Sequence, residues 1–170
     1  MRIVAAVIAV CLSVLFAVGS AEAGDAPGKA APKIELRDTR NVAHTLAQYK
    51  GKVVLVNFWA TWCGPCATEM PHLERMWKEL GPKGFVVLGI SVDKAGDQSK
   101  VGPFAATKGV TYPILLDPQT VVSNVYNPSK SAPFNVIVDR AGNIHSTHAG
   151  YNPGDEVKLR AEVEALLGAN

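Results

Sequence analysis

The sequence predicts an α/β sandwich: a central mixed β-sheet with helices on both faces and an N-terminal β-hairpin extension. Three observations carry that prediction. Val53–Trp59 and Phe85–Ser91 are almost unbroken apolar runs, the pattern of strands covered on both faces. Stretches with helical spacing follow each of them, so strands alternate with helices. Arg140-Ala141-Gly142-Asn143 then supplies a hairpin turn signal between two further strand-like segments, with a helix-patterned segment behind them.

Taken in order, residues 34–36 and 42–46 form the short N-terminal hairpin ahead of Val53–Trp59. Residues 67–80 place Met70, Leu73, Met76, Trp77 and Leu80 on one side of a helix, which Pro71 is expected to kink. Phe85–Ser91 is closed by Val92-Asp93, and residues 98–108 make a modest helix stopped by Gly109. Residues 113–116 read as a short strand and 120–126 as a short helix. Residues 134–139 and 144–148 flank the turn. The last helix starts at Asp155 as N-cap and runs to Leu167, turning Leu159, Val163, Leu166 and Leu167 inward.

Composition narrows the function. A chain of 170 residues suits one compact domain. With 17 Lys+Arg against 15 Asp+Glu, scattered rather than clustered, nucleic-acid binding through a basic face is excluded. A hydrophobic content of 48% with so low a net charge also excludes disorder.

The N-terminus reads as a targeting segment. Met1-Arg2 precedes the apolar run of residues 3–18, and Ala21-Glu22-Ala23 offers a small-x-small cleavage site. The run is short against the roughly 20 residues of a bilayer span. Residues 1–23 are therefore expected to be a signal peptide, or an uncleaved membrane anchor if Gly19, Ser20 and Ala21 lengthen the span. Residues 24–32 read as a flexible lead-in and residues 33–168 as the domain, exported to the periplasm. Cys11 leaves with a cleaved signal, and the exported domain keeps Cys63 and Cys66.

Those two cysteines are spaced C-x-x-C. A loop that small removes little chain entropy when closed, so the pair points to chemistry rather than to stabilisation. Trp62-Cys63-Gly64-Pro65-Cys66 follows a buried strand and opens a helix. Free N–H groups and the helix dipole favour an anion there, which lowers the pKa of the Cys63 thiol. Cys66, one turn further in, is placed to resolve a mixed disulfide at Cys63. Pro65 stiffens the first turn and has no N–H to leave unpaired.

The segment from Tyr49-Lys50-Gly51-Lys52 through Cys63-Gly64-Pro65-Cys66 to Glu69-Met70-Pro71 resembles the thioredoxin superfamily, specifically its exported TlpA/ResA-like, redoxin-type branch. Ile90-Ser91-Val92-Asp93, Leu116-Asp117 and Ala132-Pro133 before Val136-Ile137-Val138-Asp139 extend the resemblance over nearly the whole domain. It implies a thioredoxin-like fold and a thiol–disulfide oxidoreductase that needs no cofactor. By the same resemblance Pro133 is a cis proline facing the disulfide, and Ala132 offers backbone groups to an extended substrate chain. Glu69 moves protons to and from the thiols. Cytosolic thioredoxins carry a buried Asp six residues before the first active-site cysteine, where this chain has Asn57, which shifts that role further towards Glu69. Trp62, Gly64 and Pro65 form the contact surface, and Trp59 is read as core.

The branch often carries Glu just after the cis proline for cytochrome c maturation, whereas here Phe134-Asn135 follow. Gly64-Pro65 is the dipeptide of reducing thioredoxins, and the stretch from Cys66 to Pro133 is too short for the helical insertion of DsbA-type oxidants. The expected function is reduction of exported protein disulfides, with electrons from a membrane thiol relay. Two alternatives are a copper-handling protein using both thiolates and a peroxiredoxin-like thiol peroxidase. Against copper, His145 and His148 lie three apart on a strand and so on opposite faces, and His44 and His72 have no partner in the sequence. No metal ligand set is expected.

Overall fold

The structure is a computed structural model that describes residues 28–169; the expected signal or anchor lies outside them. Seven strands form one sheet: β1 (Glu35–Asp38), β2 (Ala43–Thr45), β3 (Val53–Trp59), β4 (Phe85–Ser91), β5 (Ile114–Leu116), β6 (Phe134–Val138) and β7 (Ile144–Ala149). Four helices accompany them: α1 (Gly64–Leu80), α2 (Gln98–Thr107), α3 (Val121–Tyr126) and α4 (Asp155–Gly168). The strand order is β2-β1-β5-β4-β3-β6-β7. β3, β4 and β5 run parallel, and every other pairing is antiparallel, so the sheet is mixed.

Alternation along the central strands divides the core into two layers. Val53, Leu55 and Trp59 of β3 pack with Met70, Leu73, Met76 and Leu80 of α1, Val101 of α2 and Leu159 and Val163 of α4. Val54, Val56 and Phe58 face the other way, onto Ile34 and onto Val122 and Tyr126 of α3. Both faces of β3 and β4 are thus covered, which is why their sequences lack a polar alternation.

The helix after the cysteines begins at Gly64 with Cys63 as N-cap, as the reading of the cysteine motif expects, and it continues through Pro71 to Leu80. The structure departs from the sequence expectations in two places. Asp155 is not the N-cap of α4. Gly154 takes that place with φ 104°, and the Asp155 carboxylate accepts instead from the Asn152 N–H at 2.8 Å. Residues 28–31 are not a free lead-in. Gly28 and Ala31 donate to the carbonyls of Ile144 and Gly142, and the Ile144 N–H donates to the Lys29 carbonyl. The turn ahead of β7 leaves backbone groups open, and this segment satisfies them. The expected N-terminal hairpin is present, and it joins the main sheet by pairing β1 with β5.

Candidate active site

Cys63 and Cys66 are joined by a disulfide, with Cα atoms 5.3 Å apart. Cys63 is the N-cap of α1, and its Sγ accepts the Cys66 N–H at 3.2 Å. The helix therefore directs an unpaired N–H at the first sulfur, the local condition that stabilises a thiolate. Cys66 is fully buried and Cys63 is 5% exposed, so the rim sulfur is Cys63. Pro65 lies in the first turn, and Gly64 and Pro65 are both exposed.

Around the disulfide, Trp62 is 70% exposed, while Trp59 is fully buried and stacks on Phe104 with ring centroids 5.8 Å apart. The Ala132–Pro133 peptide is cis. Pro133 is buried immediately ahead of β6, and Ala132 packs on the core cluster that contains both cysteines.

Behind Cys66, on the same helix, Glu69 is 2% exposed. Its carboxylate oxygens accept from two amides, Asn57 Nδ2 at 3.0 Å and Asn135 Nδ2 at 2.6 Å. Asn57 Nδ2 also donates to Asn135 Oδ1 at 2.8 Å, which closes a ring of three side chains. Burial raises the Glu69 pKa from 4.5 to about 7, opposed by the two amide hydrogen bonds and assisted by the nearby Asp155 carboxylate. Glu69 and Asn135 also line a cleft of about 240 Å³, together with His148, Asp155 and Lys158.

A second carboxylate, Asp93, holds the loop ahead of Cys63. It accepts from the Thr61 N–H at 2.9 Å, from Thr61 Oγ1 at 2.6 Å and from Ser91 Oγ at 2.9 Å. With only 1% of its surface exposed, Asp93 spends its acceptors on the backbone that leads into Trp62-Cys63.

Sequence reasoning missed Asn135 and Asp93 as site residues. The signal for Asn135 was present: it is the one polar residue in Phe134–Val138, as Asn57 is in Val53–Trp59. The register places Asn57 directly opposite Asn135, a pairing no local pattern announces. Three of the four histidines have other partners. His44 bonds to Tyr49 and Asp38 in the N-terminal hairpin, His72 lies 3.4 Å from Glu156, and His148 lies 3.1 Å from Glu162. Among the described residues, no three metal-ligating side chains converge on one point.

A family model described as AhpC/TSA family matches residues 27–147. The chain belongs to that family. The thiol-disulfide oxidoreductase ResA of Geobacillus kaustophilus is 32% identical over 137 residues, covering 81% of this chain and 77% of the relative. The thioredoxin-like protein YneN of Bacillus subtilis is 35% identical over 143 residues, covering 84% and 83%. Among solved structures, a thiol:disulfide interchange protein DsbE from Chlorobium tepidum superposes with TM-score 0.78 at 31% identity, over 85% of this chain and all of that one. The thioredoxin-like fold expected from the sequence is borne out. So is the class of activity: the chain is a thiol–disulfide oxidoreductase of the AhpC/TSA family.

Proposed function

We propose that this chain is an exported reductant of protein disulfides that works in the periplasm, free after signal cleavage or tethered if residues 1–23 remain. The observation that supports it is the asymmetry of the pair: one sulfur at the rim on a helix N-terminus, the other buried on the helix that carries Glu69. In the reduced protein the Cys63 thiolate attacks one sulfur of a client disulfide. A mixed disulfide forms, and the first client sulfur leaves as a thiolate and takes up a proton. The Cys66 thiolate then attacks Cys63 Sγ, which restores the Cys63–Cys66 disulfide and releases the second client thiol. Two electrons pass to the client, and a membrane thiol relay supplies two more to reduce the Cys63–Cys66 disulfide again.

Cys66 must lose its proton where solvent does not reach. Glu69 is the base suited to that task, because a carboxyl with a pKa near 7 both accepts and returns a proton at neutral pH. Trp62, Gly64 and Pro65 meet the client on one side. Ala132 and Pro133 meet it on the other, with the Ala132 backbone pairing an extended client chain. The deciding measurement is the potential of the pair, read from Trp fluorescence after equilibration in a thiol redox buffer. A value near or below about −220 mV is expected, and a value near −120 mV would make the protein an oxidant and overturn the direction proposed.

A further inference from the structure

A groove of about 210 Å³ opens between Trp62, the neighbour of Cys63, and Ala132, the neighbour of the cis proline. Its floor is apolar, formed by Phe58 and Val92, with Trp62 standing as an exposed wall. Thr120, Ser123 and Asn124 add hydroxyl and amide groups along one side, suited to the backbone of an extended chain.

The charge in this groove is one-sided. Lys130 is the only ionisable side chain that lines it, and it is exposed. Among the described residues Lys130 has no ion-pair partner. The two acids in the neighbouring loops do not offset it at the surface, since Asp93 and Asp117 are each 1% exposed. Asp93 accepts from Thr61 and Ser91, and Asp117 accepts the N–H groups of Val121 and Ser123.

The backbone turn that carries Lys130 is held in place. The Lys130 φ of 55° lies in the left-handed region, uncommon for a residue with a Cβ. Buried Asn127 organises the turn around it. The Asn127 side chain donates to the Ser131 carbonyl at 2.7 Å and accepts from Ser129 Oγ at 2.9 Å, and the Asn127 carbonyl accepts the Lys130 N–H at 3.0 Å.

We propose that this groove selects clients whose disulfide is flanked by an acidic residue: an extended segment with an apolar side chain on Phe58, Trp62 and Val92 and a carboxylate at Lys130. The proposal rests on the oxidoreductase function and names its substrate class. Charge complementarity carries it, because a single cation beside an apolar floor favours an acidic segment and repels a basic one.

The test uses two disulfide-bonded peptides that differ only in Glu or Lys near the attacked cysteine, with stopped-flow Trp fluorescence of the pre-reduced protein. Wild type is expected to reduce the Glu peptide about fivefold faster at low salt, the upper range for one exposed ion pair. That ratio falls towards one at about 0.5 M salt. Lys130→Gln abolishes the preference and Lys130→Glu reverses it, so either variant suffices if the other fails to fold. Reduction of uncharged dipyridyl disulfide by wild type separates the two levels. If wild type reduces neither that reagent nor the peptides, the oxidoreductase function falls and the client assignment with it. If wild type reduces both peptides equally, or the preference survives in the Lys130 variants, the groove assignment alone is overturned.

Discussion

Replacing Glu69 by Gln should change how stability depends on pH more than it changes any other property of the oxidised protein. In the folded state burial holds the Glu69 carboxyl at about 7, against an ordinary value of 4.5. Between those two values the folded protein keeps a proton that the unfolded chain has released. By linkage, the stabilisation is fully present below pH 4.5 and is lost as pH rises through 7. A displacement from 4.5 to about 7 is worth roughly 3 kcal/mol, at about 1.4 kcal/mol per pH unit. The group is only 2% exposed, so solvent screening gives little reason to discount that figure. Gln carries no proton to lose, and every other titrating group is shared. The difference in unfolding free energy between wild type and Glu69→Gln, measured by urea titration from about pH 4 to pH 8, should therefore shift by roughly 3 kcal/mol in favour of the variant as pH rises. Parallel pH profiles would show that Glu69 titrates at its ordinary value, and the proposed proton-handling role would lose its basis.

Three further outcomes follow from the same contacts. Asn135→Leu removes an amide that supports the ionised carboxylate, so the pH at which Glu69 loses its proton should rise further. A midpoint that stays put or falls would contradict the bonding seen here. Asp93→Ala strips the acceptors from the Thr61 N–H and Ser91 Oγ, which should lower unfolding free energy by about 2 kcal/mol and slow the reaction of Cys63 with small disulfides; an unchanged urea midpoint would refute it. Cys66→Ser should accumulate a covalent mixed disulfide with a client through Cys63, visible on non-reducing gels, whereas Cys63→Ser should accumulate none. Equal trapping by both variants would contradict the division between attacking and resolving sulfurs.

Much of the fold and the reactive centre could be read in the chain. β3 and β4 were legible because a strand buried on both faces leaves an almost unbroken apolar run, here seven residues long in each. The cysteine pair was legible because strand, turn and helix are consecutive, so the environment of Cys63 is built by its own neighbours in sequence. The ends of the helices were less so. The start of α4 turned on whether the Asp155 carboxylate capped its own helix or bonded back to Asn152, a choice between two local partners that the sequence leaves balanced.

By itself the sequence determined the sulfur chemistry, the alternation of strands and helices, and the position of an acid, Glu69, one turn beyond Cys66. Only the tertiary structure decided what surrounds that acid. Asn57 and Asn135 lie far apart in the chain and meet because β3 and β6 pair in a register that sets them opposite each other. Asp93 reaches Thr61 because the ends of β3 and β4 emerge side by side, where the Val92 N–H donates to the Trp59 carbonyl. The groove likewise exists only where Trp62, from the end of β3, faces the loop that precedes β6. Local pattern reports burial and turn chemistry, which depend on a few neighbouring residues. Register and the crossing of loops depend on long-range pairing, and those fix which amides surround Glu69 and which residues line the groove.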